Sequence, residues 1–563
     1  MLLPSLLLAA AAATAANAAA VSPRNDDGHA SATTGAAREA CESFSLPSAI
    51  PEGINATLDF ARYYPAGALF NETDPNTSLS TTRFNAFCRV RVNITTSPTS
   101  QSISEVWLPD ASEWNRRFLG TGNGASGGGF AWSDMGFGGI NYGYAAHATN
   151  GGHSSAGSNT SWALGNPEAL IDWNDRSMHQ GTVLAKSVIS SFYNTSDYLS
   201  IYGACSAGGR QGWIEAERYP EDYDAIITGA PAIDDVRQSA SALYVNQKVM
   251  PVNGSTWFSN ETWALVHQEV MRQCDELDGV KDNLLSNPLA CHFRPASLAC
   301  KPGQEPFMNG NRSAPACLTL EQLEVLRYVY EPWVDEGNEY VWAGFPPGSE
   351  LGFLTGNFLA DGGENGQDGQ WFRYVVHNDT EWKASDISFE SVKLGVSTVG
   401  PGNSANNPDI SKFVARGGKL IHYVGWNDQY LSALESIRWY QTVDTYMSAS
   451  TNYTTDDYLR LYIAPGMKHC NGGAGANAFG QPGSFVNVPP PSGEPEYNAM
   501  AALIKWYETD TAPTHFIGTS YHNNNASLGI SYQRPICQWP KSPVFKGGEK
   551  RDWKKAEEWE CRL

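Results

Sequence analysis

Tyr198-Leu199-Ser200-Ile201-Tyr202-Gly203-Ala204-Cys205-Ser206-Ala207-Gly208-Gly209-Arg210-Gln211-Gly212 decides how this chain is read. Its first five residues alternate as a strand does, and the stretch from Gly209 to Tyr219 fits a helix. Between them sits a serine in a turn of small residues. A serine on a tight strand-to-helix turn stands exposed above the carboxyl edge of a sheet, and such a turn admits only small neighbours, here Ala204 and Gly208. The common pattern is G-x-S-x-G, and Ala204 takes the place of the first glycine. On local sequence alone, an ordinary glycine-rich turn or an anion-binding loop at a helix start remains an alternative.

Strand patterns flank this turn on both sides. Cys88–Val92 and Ile103–Leu108 alternate, and Arg117–Gly120 runs into Gly122-Asn123-Gly124 and Gly127-Gly128-Gly129. A helix is predicted over 166–193, followed by the apolar run Ala225–Gly229. After a long irregular segment the pattern returns at Lys419–Val424 and Tyr458–Ile463, with a helix over 431–446 between them and another over 500–507. Strands alternating with helices predict an α/β fold, with a mostly parallel sheet covered on its faces. Residues 41–234 and 401–563 form its two parts, and 235–400 read as an inserted domain.

Serine is a weak nucleophile until a base takes its proton, and the base needs an orienting group. In α/β hydrolases the order along the chain is Ser, Asp or Glu, then His, each beyond a strand end. Gly425-Trp426-Asn427-Asp428 follows one strand and Ala464-Pro465-Gly466-Met467-Lys468-His469-Cys470 follows the next. Ser206, Asp428 and His469 thus fall in the required order. His422 lies inside an apolar strand and reads as core. His515 and His522 lie in polar segments beyond the last clear strand, and His147 and His153 precede the serine. Cys205 adjoins Ser206 and Cys470 adjoins His469. A disulfide between them would hold their Cα atoms ~4.4–6.8 Å apart and bring hydroxyl and imidazole together. Cys205 as nucleophile is the competing idea, disfavoured in an oxidising compartment. The Ala207 amide is the expected oxyanion donor, with a second from the turn Gly122–Gly124, where Gly124 is the candidate.

The compartment is read from the ends and the cysteines. An apolar run with alanines to about Ala20 predicts a signal peptide over 1–20, followed by a mobile leader over 21–40. With ten cysteines and sequons such as Asn55, Asn93, Asn194, Asn378 and Asn525, this points to a secreted, extracellular glycoprotein with disulfides. No other stretch approaches the ~20 apolar residues of a membrane span. A formal net charge of −21 and no basic run argue against nucleic acid or anionic membranes as partners.

These residues resemble the fungal tannase and feruloyl esterase family, of the feruloyl esterase B type. The likeness is carried by Cys205–Gly212, Gly425–Asp428 and His469-Cys470, and extends to Asn166-Pro167-Glu168, Leu170-Ile171-Asp172 and Arg218–Asp224. It implies an α/β-hydrolase fold with a large lid over 235–400. It also implies Ser206 as nucleophile, His469 as general base and acid, and Asp428 as orienting carboxylate, supported by a Cys205–Cys470 disulfide. The lid of this family often holds calcium, and the resemblance gives Asp275, Asp278 and Asp282, with the carbonyls of Val280 and Leu284, as structural Ca²⁺ ligands. On spacing alone the same stretch is equally an acidic surface turn. The implied remaining bridges are Cys41–Cys88, Cys274–Cys291, Cys300–Cys317 and Cys537–Cys561. The expected substrate is a phenolic (feruloyl-type) ester linked to plant cell-wall polysaccharide. Tannase action on galloyl esters is the alternative; the family's tannases are commonly cut at a dibasic lid site, and no Lys-Arg pair occurs in 235–400. A non-catalytic secreted phenolic- or glycan-binding protein and a lipase are the further rivals.

Overall fold

A computed structural model describes residues 27–47, 50–251, 254–304, 317–354, 363–486, 488–548 and 550–563. The expected signal peptide lies outside the described residues. The predicted mobile leader needs correcting, because its latter part enters helix α1 (Asp27–Glu42). Alanine-rich polar sequence is good helix former as well as good linker, and here the Cys41–Cys88 disulfide fastens the last turn to the sheet.

Nine strands make the central sheet: β1 (Asn55–Tyr64), β2 (Phe87–Ser97), β3 (Ser100–Pro109), β4 (Arg117–Gly120), β5 (Ala145–Thr149), β6 (Leu199–Cys205), β7 (Ala225–Gly229), β8 (Lys419–Gly425) and β9 (Leu459–Ala464). They lie in the order β1-β2-β3-β5-β4-β6-β7-β8-β9. The first three are antiparallel neighbours, β3 pairs antiparallel with β5, and every pairing from β5 to β9 is parallel. This sheet with its helices has the α/β-hydrolase architecture. In the parallel half, side chains alternate between faces: Tyr202 and Ile226 join one core with α2 (Ser177–Tyr193), α3 (Ala207–Arg218) and Trp439, while Ile201 and Ile227 join the other with Met500 and Leu503. Both faces are covered, which is why these strands read as nearly continuous apolar runs.

Two strands of the central sheet do not show in the sequence pattern. β1 carries a bulge between Leu58 and Phe60, which breaks its two-residue period. β5 is Ala-Ala-His-Ala-Thr, whose small side chains suit a crowded central position but carry little strand propensity. His515, expected in a polar segment, instead opens a strand (His515–Tyr521) paired with Ile530–Cys537.

Between β7 and β8 none of the described residues joins the central sheet. α4 (Asp235–Tyr244), α5 (Asn260–Cys274) and α6 (Leu320–Tyr330) lie here. One apolar cluster, with Trp263, Val266, Leu326 and Phe353, belongs to this segment. A second joins Val236, Leu243, Trp371 and Phe372 to Trp173 and Ala207, so it abuts the start of α3.

Candidate active site

The parallel pairings bring the carboxyl ends of β6, β8 and β9 to one edge of the sheet. Ser206 follows β6 directly, with φ 67° and ψ −128°. A non-glycine residue rarely adopts this conformation; it turns the chain abruptly and lifts the hydroxyl out of the strand. The turn fits because its neighbours are small. A Cβ on Gly208 would come within 2.7 Å of the Ala204 methyl. Alanine is therefore tolerated two residues before the serine because glycine stands two residues after it.

His469 Nδ1 lies 2.8 Å from Asp428 Oδ2, and Nε2 lies 2.9 Å from Ser206 Oγ. An ionised carboxylate only accepts, so Asp428 fixes the proton on Nδ1 and leaves the Nε2 lone pair facing the hydroxyl. Asp428 is fully buried and its other oxygen accepts from the Tyr430 and Leu431 amides at 2.9 and 2.8 Å. The Tyr430 ring meets the imidazole edge-on, with 5.1 Å between centroids, and Gln429 Oε1 accepts from the His469 amide. Cys205 and Cys470 are bonded, with Cα atoms 5.9 Å apart, so Cys205 has no free thiol. The other four disulfides pair as the resemblance implied.

Ala207 is the first residue of α3, where a helix leaves its leading amides without internal partners. Gly124 lines the same cavity as Ser206. The glycine-rich loop carrying Gly124 is tied to α3 by a reciprocal amide pair: Gln211 Oε1 accepts from the Asn123 amide, and Gln211 Nε2 donates to Asn123 Oδ1, both at 2.9 Å. On its far side, Asp74 Oδ2 accepts from the Phe130 amide and Thr77 Oγ1 donates to the Phe130 carbonyl. None of these braces was singled out in the sequence; the Gln211–Asn123 pair joins residues 88 apart. The cavity holds about 740 Å³ and is lined by Phe130, Tyr430 and Leu431 with polar residues that include Asp134 and Gln238. His422 is core, as expected: it is fully buried, hydrogen-bonded to Ser436 and pushed down to about 3 by burial.

In the acidic loop of the inserted segment Asp275, Asp278 and Asp282 turn their side chains inward, while Glu276, Leu277 and Lys281 stay exposed. Asp275 accepts from the amides of Asp282, Asn283 and Leu284, and Asp278 from the Val280 amide and the Ser286 hydroxyl. Arg534 pairs with Asp282 and stands 3.9 Å from Asp278. Asp282 Oδ1 is a buried acceptor without a hydrogen-bond partner. Oxygen donors with one orphaned oxygen fit a hard cation, although among the described residues no three acidic, His or Cys side chains converge as a metal cluster.

Fold and site together define a carboxylic ester hydrolase of the α/β-hydrolase class. The profile of the tannase and feruloyl esterase family matches residues 88–561, and the chain belongs to that family. It is 34% identical over 510 residues to a probable feruloyl esterase B-2 of Aspergillus flavus, covering 89% of this chain and 92% of the relative. It is 32% identical over 526 residues to a probable feruloyl esterase B of Emericella nidulans, covering 92% and 94%. The crystal structure of feruloyl esterase B from Aspergillus oryzae superposes with a TM-score of 0.83 at 29% identity, covering 93% of this chain and all of that one. A tannin acyl hydrolase from Aspergillus niger shares the fold, with a TM-score of 0.71 at 21% identity over 94% of each chain.

Proposed function

We propose that the protein is a secreted esterase that releases feruloyl-type phenolic acids from plant cell-wall esters through a covalent acyl-enzyme. The observation that carries this reading is the hydrogen-bonded series Ser206–His469–Asp428 opening on a cavity whose walls combine the Phe130 and Tyr430 rings and Leu431 with polar side chains. As Ser206 Oγ attacks the ester carbonyl, His469 Nε2 takes its proton, and the imidazolium is stabilised by Asp428. The carbonyl oxygen gains negative charge, and we assign its stabilisation to the Ala207 and Gly124 amides, both of which belong to residues lining the cavity. The tetrahedral intermediate collapses, the ester C–O bond breaks, and His469 gives its proton to the departing alkoxide. Water then attacks the acyl-enzyme with His469 again as base, and the carboxylic acid leaves. Similarity to feruloyl esterases supports the phenolic acyl group. Five disulfides, with no free cysteine among the described residues, support an oxidising, extracellular location.

The inserted segment is proposed to act as a lid, since Asn365–Asp368 and α4 line the same cavity. A structural Ca²⁺ held there by Asp275, Asp278, Asp282 and the carbonyls of Val280 and Leu284 would satisfy the orphaned Asp282 oxygen. It has no part in the reaction steps. Hydrolysis of methyl ferulate, methyl gallate and a long-chain p-nitrophenyl ester by purified protein and its Ser206→Ala variant tests the function. Methyl ferulate should be preferred and the variant inactive; preference for gallate or the long chain, or activity surviving in the variant, would sink the reading.

A further inference from the structure

The catalytic series leaves three carboxyl groups of the cavity unused, Asp134, Asp235 and Asp368, and the first of them differs from the rest. Asp134 opens the short turn of helix Asp134–Gly139, half-buried in the wall, and its carboxylate has a single hydrogen-bond donor among the described residues. That donor, the Gly483 amide, is shared between the two oxygens at 3.2 and 3.1 Å. A carboxylate has room for about four donors, and one bent, divided bond leaves most of that capacity open. Gly483 in turn backs onto the catalytic bridge: a Cβ there would stand 3.6 and 3.8 Å from those of Cys470 and Cys205. Asn471 Nδ2 donates to the Gly483 carbonyl at 2.7 Å, so the loop carrying this donor is fixed to the residues flanking His469. The carboxylate is thus held in the wall of the cavity that Ser206 also lines.

Its surroundings distinguish it from the other acids. Asp235 faces the same cavity but lies 3.3 Å from the buried Arg210 guanidinium, which compensates its charge. No lysine or arginine lines the cavity among the described residues. Burial pushes the Asp134 carboxyl up to about 6, offset only in part by the Gly483 amide. A partly buried carboxylate with one shared donor keeps acceptor capacity turned to the cavity, and a ligand that brings a donor there makes a charge-assisted hydrogen bond.

We propose that Asp134 is a specificity-determining residue that accepts a hydrogen bond from a hydroxyl of the bound ester, so that the cavity selects neutral, hydroxylated substrates over their O-methylated counterparts. A methoxy group offers only lone pairs to the carboxylate and leaves it unpaired; a hydroxyl donates. Discrimination of this kind is stronger than a change of apolar volume provides, because the wrong ligand covers the carboxylate without pairing it. The hydroxyl has two sources on the proposed substrate, the phenolic ring of the acyl group or the sugar on the alcohol side. This inference rests on the feruloyl-ester reading and sharpens it.

The test compares kcat/KM for methyl ferulate, methyl 3,4-dimethoxycinnamate and a feruloylated arabinose, using wild-type protein, Asp134→Ala and Asp134→Asn. Wild type should favour the free phenol over the dimethoxy ester by about 10–100-fold, the range for a hydrogen bond to a charged group. Asp134→Ala should bring that ratio close to one, with Asp134→Asn between, since its amide carbonyl still accepts. If the hydroxyl belongs to the sugar, the phenol ratio stays put and the advantage of the arabinose ester over methyl ferulate is lost instead. Both ratios unchanged in Asp134→Ala, or all three esters slowed in parallel, would overturn the proposal and leave Asp134 only a brace for Gly483. Should Asp134→Ala fail to fold, Asp134→Asn carries the same comparison. A wild-type enzyme that cleaves p-nitrophenyl acetate but none of the phenolic esters would remove the feruloyl reading and this inference together, a result distinct from active enzyme with ratios indifferent to Asp134.

Discussion

The catalytic edge and the acidic loop are built in opposite ways. Ser206, Asp428 and His469 come from three strand ends, and the serine and histidine are separated by 263 residues. Asp275, Asp278 and Asp282 come from one turn, and their partners are mostly its own amides. The distant groups are held by the sheet register and by a covalent bridge, so their geometry belongs to the whole fold. The contiguous groups are held locally, yet Arg534, which pairs with Asp282, arrives from 252 residues away. Convergence in space, rather than closeness in sequence, marks the site that does chemistry; closeness marks the one that holds a segment together.

The sharpest way to break this comparison is at the catalytic edge. Ser206→Ala should lower kcat for a phenolic ester by about 10⁴–10⁶-fold, while thermal unfolding shows no loss of stability, because the substitution removes no buried contact. A large fall in Tm would mean that the serine serves the fold. Next in size is the bridge. Cys205→Ser combined with Cys470→Ser should destabilise the protein by about 2–5 kcal/mol, and lower kcat in molecules that remain folded, because hydroxyl and imidazole lose their common anchor. Destabilisation without a fall in kcat would show that the strand ends align the site unaided.

What was legible in the sequence follows from the same contrast. Ser206, Asp428 and His469 could be found because each strand before them is a buried apolar run, and chain order then limits the choice. Ala204 looked like a departure from the pattern until its contact with Gly208 showed why a methyl fits. Arg534 gave no signal, since an arginine within a strand reads as solvent-facing, whereas here it is buried against the Trp559 ring, 3.9 Å from the centroid. The walls of the cavity were hidden too. Asp134 opens a short helix between β4 and β5, and Asn76 and Thr77 lie on a turn between β1 and β2; no period in either segment's own sequence announces its place in the cavity wall with Ser206.

Arg534 allows the acidic loop to be tested apart from catalysis. Arg534→Met keeps the apolar bulk but leaves Asp278 and Asp282 without their cation, and should destabilise by about 3 kcal/mol. Micromolar to millimolar CaCl₂ should restore part of this and raise Tm of the wild type after chelator treatment by a few degrees, as a ligand of the folded state does. Activity per folded molecule should not change. A Tm indifferent to calcium in both proteins would remove the ion from the proposal and leave Arg534 as the counter-charge of Asp278 and Asp282.

The smallest expected effect separates function from stability at Asp134. Its folded-state pKa of about 6 lies above the ordinary carboxylate value of 3.8, so between those values the folded protein holds a proton that the unfolded chain has lost. Stability contributed by this group is therefore complete below pH 3.8, declines as pH rises through the window, and stays low above 6. Asp134→Asn removes the charge, and at pH 7 should stabilise by roughly 1 kcal/mol, allowing for contact with cavity water, with no difference near pH 4. Few groups face Asp134 to alter this: the Gly483 amide, the buried Tyr423 hydroxyl donating to Pro482, and across the cavity Asp235, Asp368 and His469. Selectivity should move the other way. Below pH 6 a protonated Asp134 can donate to a methoxy oxygen, so the preference for free hydroxyls should shrink as pH falls from 7 to 5 in wild type and stay flat in Asp134→Asn. A variant that is more stable at neutral pH but less discriminating would mean that the cavity keeps an uncompensated carboxylate for recognition, at the expense of the fold; a variant less stable at pH 7 would assign Asp134 to the scaffold.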